Sequence, residues 1–174
     1  MAKLAKIGYG QVEPNHLSAQ RTGQIYAQLP ADPAFDVVEN GMFLRYDLSA
    51  GKMNTDGIGE DMLVFSEVKN YDTFRLIGYK NFALKKTEAV GGKIYPRLFK
   101  TNPGDIFTTN LVDLTTAEGS RVGKKLFIVA GVLTELTGTE LTAAAAIVGK
   151  QYWVIVKETT MPDGQAAVKV QRIV

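Results

Sequence analysis

The sequence predicts a mainly β fold, an antiparallel barrel or sandwich with an extended N-terminal arm and at most one short helix, and three observations carry that prediction. Short β-branched and aromatic runs recur from Phe35 onward, separated by clusters of Gly, Asn, Asp and Pro. Residues 1–35 hold isolated apolar side chains at neither strand nor helix period. Only Leu141–Val148, with Ala143 to Ala146 at its centre, has the composition of a helix.

In residues 1–35, Gly8, Gly10, Pro14, Gly23, Pro30 and Pro33 interrupt any long regular element. The segment lacks the apolar content to close a core of its own. One reading is a solvated terminus. The other is an arm that settles on a companion surface, with Leu4, Ile7, Tyr9, Val12, Leu17, Ile25, Tyr26 and Leu29 as its partner-binding anchors. The second is favoured, because each such side chain gains roughly 1.5 to 3 kcal/mol on burial.

The globular part is expected over 36–174, with 36–92 and 93–174 as candidate sub-modules. Phe35–Val38, an Asn40-Gly41 turn and Gly41–Leu48 read as strand, turn, strand. The turn-rich loop Ser49–Gly59 leads to Met62–Phe65, a continuous apolar run suited to a buried strand. Phe74–Ile77 and Tyr79–Leu84 follow as strands, with Gly78 as a bend between them. Lys85–Gly92 reads as a connection, and Lys93–Phe99 as an edge strand, since Pro96 has no N–H for a central ladder. After the run Phe107–Val112, Asp113–Gly123 is polar and turn-like, and Lys125–Leu133 is the strongest apolar run and is read as one core strand. Thr134–Thr142 reads as a hairpin around Gly138. Tyr152–Lys157 and Ala167–Val174 flank the turn Met161-Pro-Asp-Gly164 and make a terminal hairpin. One phrase recurs: from Gly104, Asp-Ile-Phe-Thr-Thr-Asn-Leu occupies the offsets that Met-Phe-Leu-Arg-Tyr-Asp-Leu occupies from Gly41, and a Gly-Lys pair follows each.

Composition excludes several classes of function. The 174 residues suit one domain with an appendage, and 45% hydrophobic with 22% charged residues is ordinary for a folded chain. A net charge of +2 makes no field that would gather nucleic acid or anionic membrane. With no cysteine, disulfides, thiolate metal sites and cysteine nucleophiles are absent. Lys3, Lys6, Glu13 and His16 break up the apolar run that a signal peptide needs, and no window approaches the roughly 20 apolar residues of a membrane span. The expectation is a protein that stays soluble where it is made.

Each candidate for chemistry has a plainer reading. Gly119-Ser-Arg-Val-Gly-Lys-Lys125 is one residue short of a phosphate-binding loop and carries Lys125 where Ser or Thr must hold magnesium, so it reads as a basic turn. Asn54, Asp56, Glu60 and Asp61 offer oxygen ligands but miss the calcium-loop spacing. The single histidine, His16, lies in the arm and cannot anchor a triad or an imidazole cluster there. No catalytic, cofactor or metal site is assigned, and the chain is not expected to be an enzyme. Phe74, Tyr79, Phe82 and Tyr95, interleaved with Arg75, Lys80, Lys85, Lys86, Lys93 and Arg97, could stack and track a single nucleic-acid strand on a β-barrel. Half-burial of alternating strands produces the same mixture, and is preferred.

Asn102-Pro-Gly-Asp-Ile-Phe-Thr-Thr-Asn110, the Gly-Lys-Lys turn into Leu126-Phe-Ile-Val129, and the closing Thr-Met-Pro-Asp-Gly-Gln-Ala-Ala-Val-Lys-Val-Gln-Arg-Ile173 resemble small virion proteins of tailed bacteriophages. They are similar to head decoration, or auxiliary capsid, proteins, and Asn40–Lys52 is similar to the same kind of module. The resemblance spans roughly residues 36 to 174 and carries over no contact residue. It implies a virion structural protein, made in the host cytoplasm, that binds the outer capsid surface and stabilises it by bridging major capsid subunits. Its partners would be the major capsid protein and other copies of itself, as a trimer in many such proteins, with no cofactor, nucleic acid or membrane. The alternatives are a tail, connector or head-fibre-base component, and, in another class, a single-strand-binding β-barrel.

Overall fold

A computed structural model describes residues 2–4, 6–17, 29–57, 59–66, 82–145 and 151–174. The fold is mainly β. Its largest element is a sheet of eight strands: β1 (Ala2–Lys3), β2 (Val12–His16), β9 (Ile106–Thr109), β10 (Val112–Leu114), β11 (Lys125–Val129), β12 (Val132–Glu135), β13 (Tyr152–Thr160) and β14 (Ala166–Arg172). The order is β1-β10-β12-β11-β13-β14-β9-β2, antiparallel throughout except for the β10–β12 pair. A second sheet runs β5 (Lys52–Asn54), β4 (Phe43–Asp47), β6 (Met62–Val64), β8 (Leu98–Phe99), and β3 (Val37–Val38) pairs with β7 (Leu84–Lys85).

The two sheets form a sandwich. On β4 and β6 the register pairs Phe43 with Leu63 and Leu44 with Met62. Alternation therefore sends Phe43 and Leu63 into the core under the large sheet and Leu44 and Met62 into a second core on the other side. Both faces of these strands are covered, which is why Met62-Leu-Val64 is apolar without a break. The first core centres on three rings: Phe107 meets Trp153 edge-on at 4.9 Å, and Phe43 lies 5.8 Å from Trp153. The second core gathers Val38, Leu44, Met53, Met62, Val64, Ile94 and Leu98 beneath the chain around Ala31 and Phe35.

Of the two architectures expected, the sandwich is the one observed. The eight-stranded sheet does not close, because β1 and β2 form its two outer edges. β1 is two residues long, and β2 carries Pro14, which has no N–H to donate. The sequence boundary at residue 93 is crossed in both directions: β8 completes the sheet built on β4 and β6, and Phe43 fills the core beneath β13.

Several elements form as expected. β6 is a fully buried strand, β8 is an edge strand though only Leu98–Phe99 of the expected Lys93–Phe99 pairs, and β13 and β14 make the terminal hairpin, with a bulge between Ile155 and Lys157. Others are corrected. The run Lys125–Leu133 is two strands, folded about Ala130 (φ +47°) and Gly131 (φ +81°), the left-handed pair that a two-residue hairpin turn requires. Thr134–Thr142 is no hairpin: β12 ends at Glu135, and a helix, α1 (Gly138–Ala145), begins three residues before the alanine-rich stretch suggested. Asp113, read as turn, lies in β10.

The Asn40-Gly41 turn exists, with Gly41 at φ +91°, but it joins strands that do not pair with each other. The Asn40 side chain explains this, since its amide brackets Ser66, accepting from the Ser66 N–H at 2.8 Å and donating to its carbonyl at 3.2 Å. The turn is thereby tied to the end of β6. The repeated phrase has a structural counterpart in its opening: Gly104 is also left-handed, at φ +95°, and each strand starts two residues later, at Phe43 and Ile106. The continuations differ. Gly51-Lys52 opens β5 of a hairpin, whereas Gly123-Lys124 lies across the sheet, bonded to Ile155. The strand expected at Phe74–Ile77 and the first half of the one expected at Tyr79–Leu84 lie outside the described residues; of the second half, Phe82 and Ala83 are in no strand and Leu84 opens β7.

Candidate functional site

The partner-binding anchors expected in residues 1–35 do not form one outward surface. Leu4 and Leu17 are buried in the core beneath the large sheet, and Val12 packs against it. Leu29 packs against the second core. The Lys85 ammonium sits over the ring of Tyr9, 5.4 Å from its centroid. Among the described anchors only Ile7 stands in solvent, at 65% exposure; Ile25 and Tyr26 lie outside the described residues. Residues 2–4 and 6–17 are thus committed to their own chain. An unpaired edge leaves a row of backbone groups open, and β1 and β2 cover the flanks of β10 and β9.

Polar contacts hold the stretch between β1 and β2. Glu39 accepts from the Lys6 ammonium and from the Gly10 N–H. The Gln11 N–H donates to Asn110 Oδ1 at 2.7 Å in a buried setting. The Gln11 side-chain amide donates to Asp163 at 3.0 Å, and the Ile7 N–H donates to Gln165 Oε1. Burial pushes the Asp163 carboxyl up, but hydrogen bonds from Gln11 and Gln165 outweigh it and leave the pKa below the usual value.

The loop Thr115–Lys124, which overlaps the phosphate-loop-like stretch Gly119–Lys125, has four of its amides bound by two carboxylates of the same sheet. Glu135 on β12 accepts from the N–H groups of Thr115 and Thr116, each at 2.9 Å, and from the Thr116 hydroxyl at 2.5 Å. Glu158 on β13 accepts from the N–H groups of Gly119 and Arg121, each at 3.0 Å. Both carboxyls are held below their ordinary pKa. For Glu135 the Thr116 and Thr115 donors overcome a larger single effect of burial, and for Glu158 the Gly119 and Arg121 amides dominate. An incoming phosphate would have to displace them.

The oxygen ligands considered for calcium diverge. Arg45 grips Asp61 with two bonds of 2.7 and 2.9 Å, Arg172 takes Glu60 at 2.9 Å, and Asn54 accepts from the Asp56 N–H at 3.0 Å. His16 is exposed on β2. Among the described residues no three His, Cys, Asp or Glu side chains are grouped to hold a metal, and no helix is long and apolar enough to cross a membrane.

What the surface does offer lies on the second sheet's outer side. Two turns of 3-10 helix, Lys86–Glu88 and Val90–Gly92, lift the chain away from β7 and open a groove of about 440 Å³ lined by Phe82, Leu84, Lys85, Val90, Lys93 and Tyr95. A smaller hollow of about 190 Å³, between Pro30, Phe35 and Lys52, shares Lys93 and Ile94 with it. Val90 is 97% exposed, and Leu48, at the tip of the β4–β5 hairpin, is 80% exposed. Part of the basic and aromatic set noted in the sequence gathers here: Phe82, Tyr95, Lys85 and Lys93 line the groove. Phe74, Arg75, Tyr79 and Lys80 lie outside the described residues.

Protein-family models, curated proteins and solved structures yield no match to this chain. Its function is therefore argued from its own residues.

The groove escaped the sequence reading because Lys85–Gly92 reads as a plain connection, and the adjoining hollow joins residues near 30, 50 and 93 that only folding brings together. A local signal was present in Val90-Gly-Gly92, where a β-branched residue sits beside two glycines and cannot be buried by them. The two carboxylate clamps had no signal at all, since Glu135 and Thr116 are neighbours only because β10 and β12 run parallel.

Proposed function

We propose that the protein is a virion structural component that binds the outer surface of a tailed-phage capsid and stabilises it by bridging major capsid subunits. One observation carries the reading: four carboxylates beside the loops are tied into the protein's own frame, while large apolar side chains are left outside on its turns. Glu135, Glu158, Asp61 and Asp163 each hold backbone or a neighbouring side chain. Leu48, Val90 and Val122 stand exposed at turn tips, where burial against a partner would gain roughly 1.5 to 3 kcal/mol apiece. Such an arrangement favours adhesion. The resemblance of the strand-turn phrases to head decoration proteins supplies the identity of the surface.

The mode of attachment differs from the arm first expected. With Leu4 and Leu17 buried, residues 2–4 and 6–17 are spent on closing the sheet's flanks, so contacts to a shell fall to the turns of the globular part. A rigid sandwich suits this role. Ordered turns lose little entropy on docking, and repetition over a shell couples subunits whose separate contacts are weak.

Heads assembled from the major capsid protein of the same genome, without this protein, provide the test. Added protein should co-sediment with them to a fixed stoichiometry, appear as regular density on the outer surface, and raise the temperature at which the heads release DNA. Absence of binding to mature heads, or density confined to a tail or connector, would overturn the reading.

A further inference from the structure

We infer that the groove beside Val90–Tyr95 is the docking site for an extended segment of the partner protein in which an aliphatic or aromatic side chain lies next to a carboxylate. This rests on the reading of the protein as a shell-binding component and names the part of it that makes the contact. Three observations lead there.

The floor and lip are apolar: Phe82, Leu84 and Ile94 line the depression, and Val90 projects from its rim almost wholly in solvent. A volume of about 440 Å³ accommodates one or two large side chains, and the adjoining hollow of about 190 Å³ extends the track past Gly51 and Pro30. Two hollows that meet at Lys93 and Ile94 can take successive side chains of an extended peptide.

Charge selects the partner. Lys85 is bound to Glu88 at 2.8 Å and Lys52 to Asp32 at 2.6 Å, so both cations are already neutralised. Lys93, shared by the two hollows and exposed, has no carboxylate partner among the described residues. An anion placed there would meet an unpaired cation beside an apolar lining, whereas a basic segment would find the lining carboxylates, Glu88 and Asp32, already bonded to Lys85 and Lys52. A nucleic-acid strand is less well served, since two of the three lysines lining the two hollows are spent on internal pairs.

Three exposed-site variants test this: Lys93→Glu, Val90→Asp, and Lys157→Glu as a charge-matched change on β13, away from the groove. Each should keep the wild-type melting temperature. Binding of each to heads lacking the protein is measured alongside binding to two labelled probes, a peptide alternating Asp with Leu and Phe, and an oligothymidylate. Lys93→Glu and Val90→Asp should each weaken head binding about tenfold or more, with Lys157→Glu unchanged. If both bind heads as the wild type does, the groove is not the contact, while the broader reading stands. If the wild type does not bind heads, that reading fails, and the peptide decides the groove: binding lost in Lys93→Glu supports it, and no binding overturns it. Oligothymidylate binding that Lys93→Glu abolishes, or self-association that Val90→Asp abolishes, would overturn it in favour of those occupants.

Discussion

Replacing Leu17 by Ala tests whether the N-terminal segment belongs to the folded core. Leu17 is 2% exposed and packs in the cluster that contains Phe107, Trp153 and Val170, so truncation removes buried methyl groups and leaves a cavity. Leu→Ala changes at such sites cost about 2 to 5 kcal/mol. At about 1.4 kcal/mol per decade, the unfolding constant should rise roughly 30-fold to several thousandfold. Ile7→Ala, ten residues earlier and largely in solvent, should stay within about 0.5 kcal/mol. Urea unfolding of the isolated protein, with no capsid or partner present, reads both, and the slope should match the wild type so that the shift reports stability alone. An arm waiting for a companion surface would make the two substitutions equally silent. A Leu17→Ala loss below about 0.5 kcal/mol would therefore refute the placement of Leu17 in the core.

The carboxylate clamp gives a prediction in pH. Glu135 has its pKa lowered in the folded protein, so its contribution is complete above its unfolded value and is lost as pH falls through the folded value. Glu135→Gln keeps an acceptor but loses the charge, so it should cost about 1 kcal/mol at pH 7 and progressively less on acidification; a deficit that grows toward acid would contradict the assignment. Gly131→Ala should destabilise by about 2 kcal/mol or more, since a Cβ there would sit 2.8 Å from the Phe43 carbonyl oxygen in a left-handed backbone. Gly123→Ala, left-handed but with nothing within 4 Å of the added carbon, should cost only about 1 to 2 kcal/mol. Thermal melts compare the two, and equal losses would count against the close approach of β4 to the β11–β12 turn.

Much of the fold was legible where one residue type enforces one geometry. Pro96 marked an edge strand, Asp163-Gly164 marked a hairpin, and Met62-Leu-Val64 marked a strand covered on both faces. Misreadings came where a local pattern admits two partners. Leu126–Leu133 reads as one apolar run because Leu126, Phe127, Ile128 and Leu133, from both arms of a hairpin, are buried, and Ala130, the residue that turns it, is not a usual left-handed residue. Asn40-Gly41 has the signature of a hairpin, but Asn40 is bonded to Ser66, far along the chain.

The N-terminal segment failed for a related reason. Its apolar residues have no period because they serve different neighbours: Leu4 and Leu17 reach one core, Leu29 reaches the other, and Tyr9 meets Lys85. The sequence rightly showed that these residues need a surface to rest on. It could not show that the surface is their own sheet, since Val12–His16 pairs with strand residues ninety or more positions away. The groove was half legible, with its aromatic and basic members noted but its shape set by the two 3-10 turns within residues 82–95, and the hollow beside it set by three separate stretches.

The decisive observation is amide hydrogen exchange in the isolated protein at the Gln11 N–H. That group is buried and bonded to Asn110 Oδ1, between β2 and the end of β9, and nothing but the folded chain supplies its acceptor. If residues 2–17 are the flanks of the sheet, the Gln11 amide exchanges slowly, at a rate approaching that of Phe107 in β9. If it exchanges at the rate of an unfolded peptide until a capsid or another partner is added, residues 2–17 are an arm, and attachment through the turns of the sandwich is wrong.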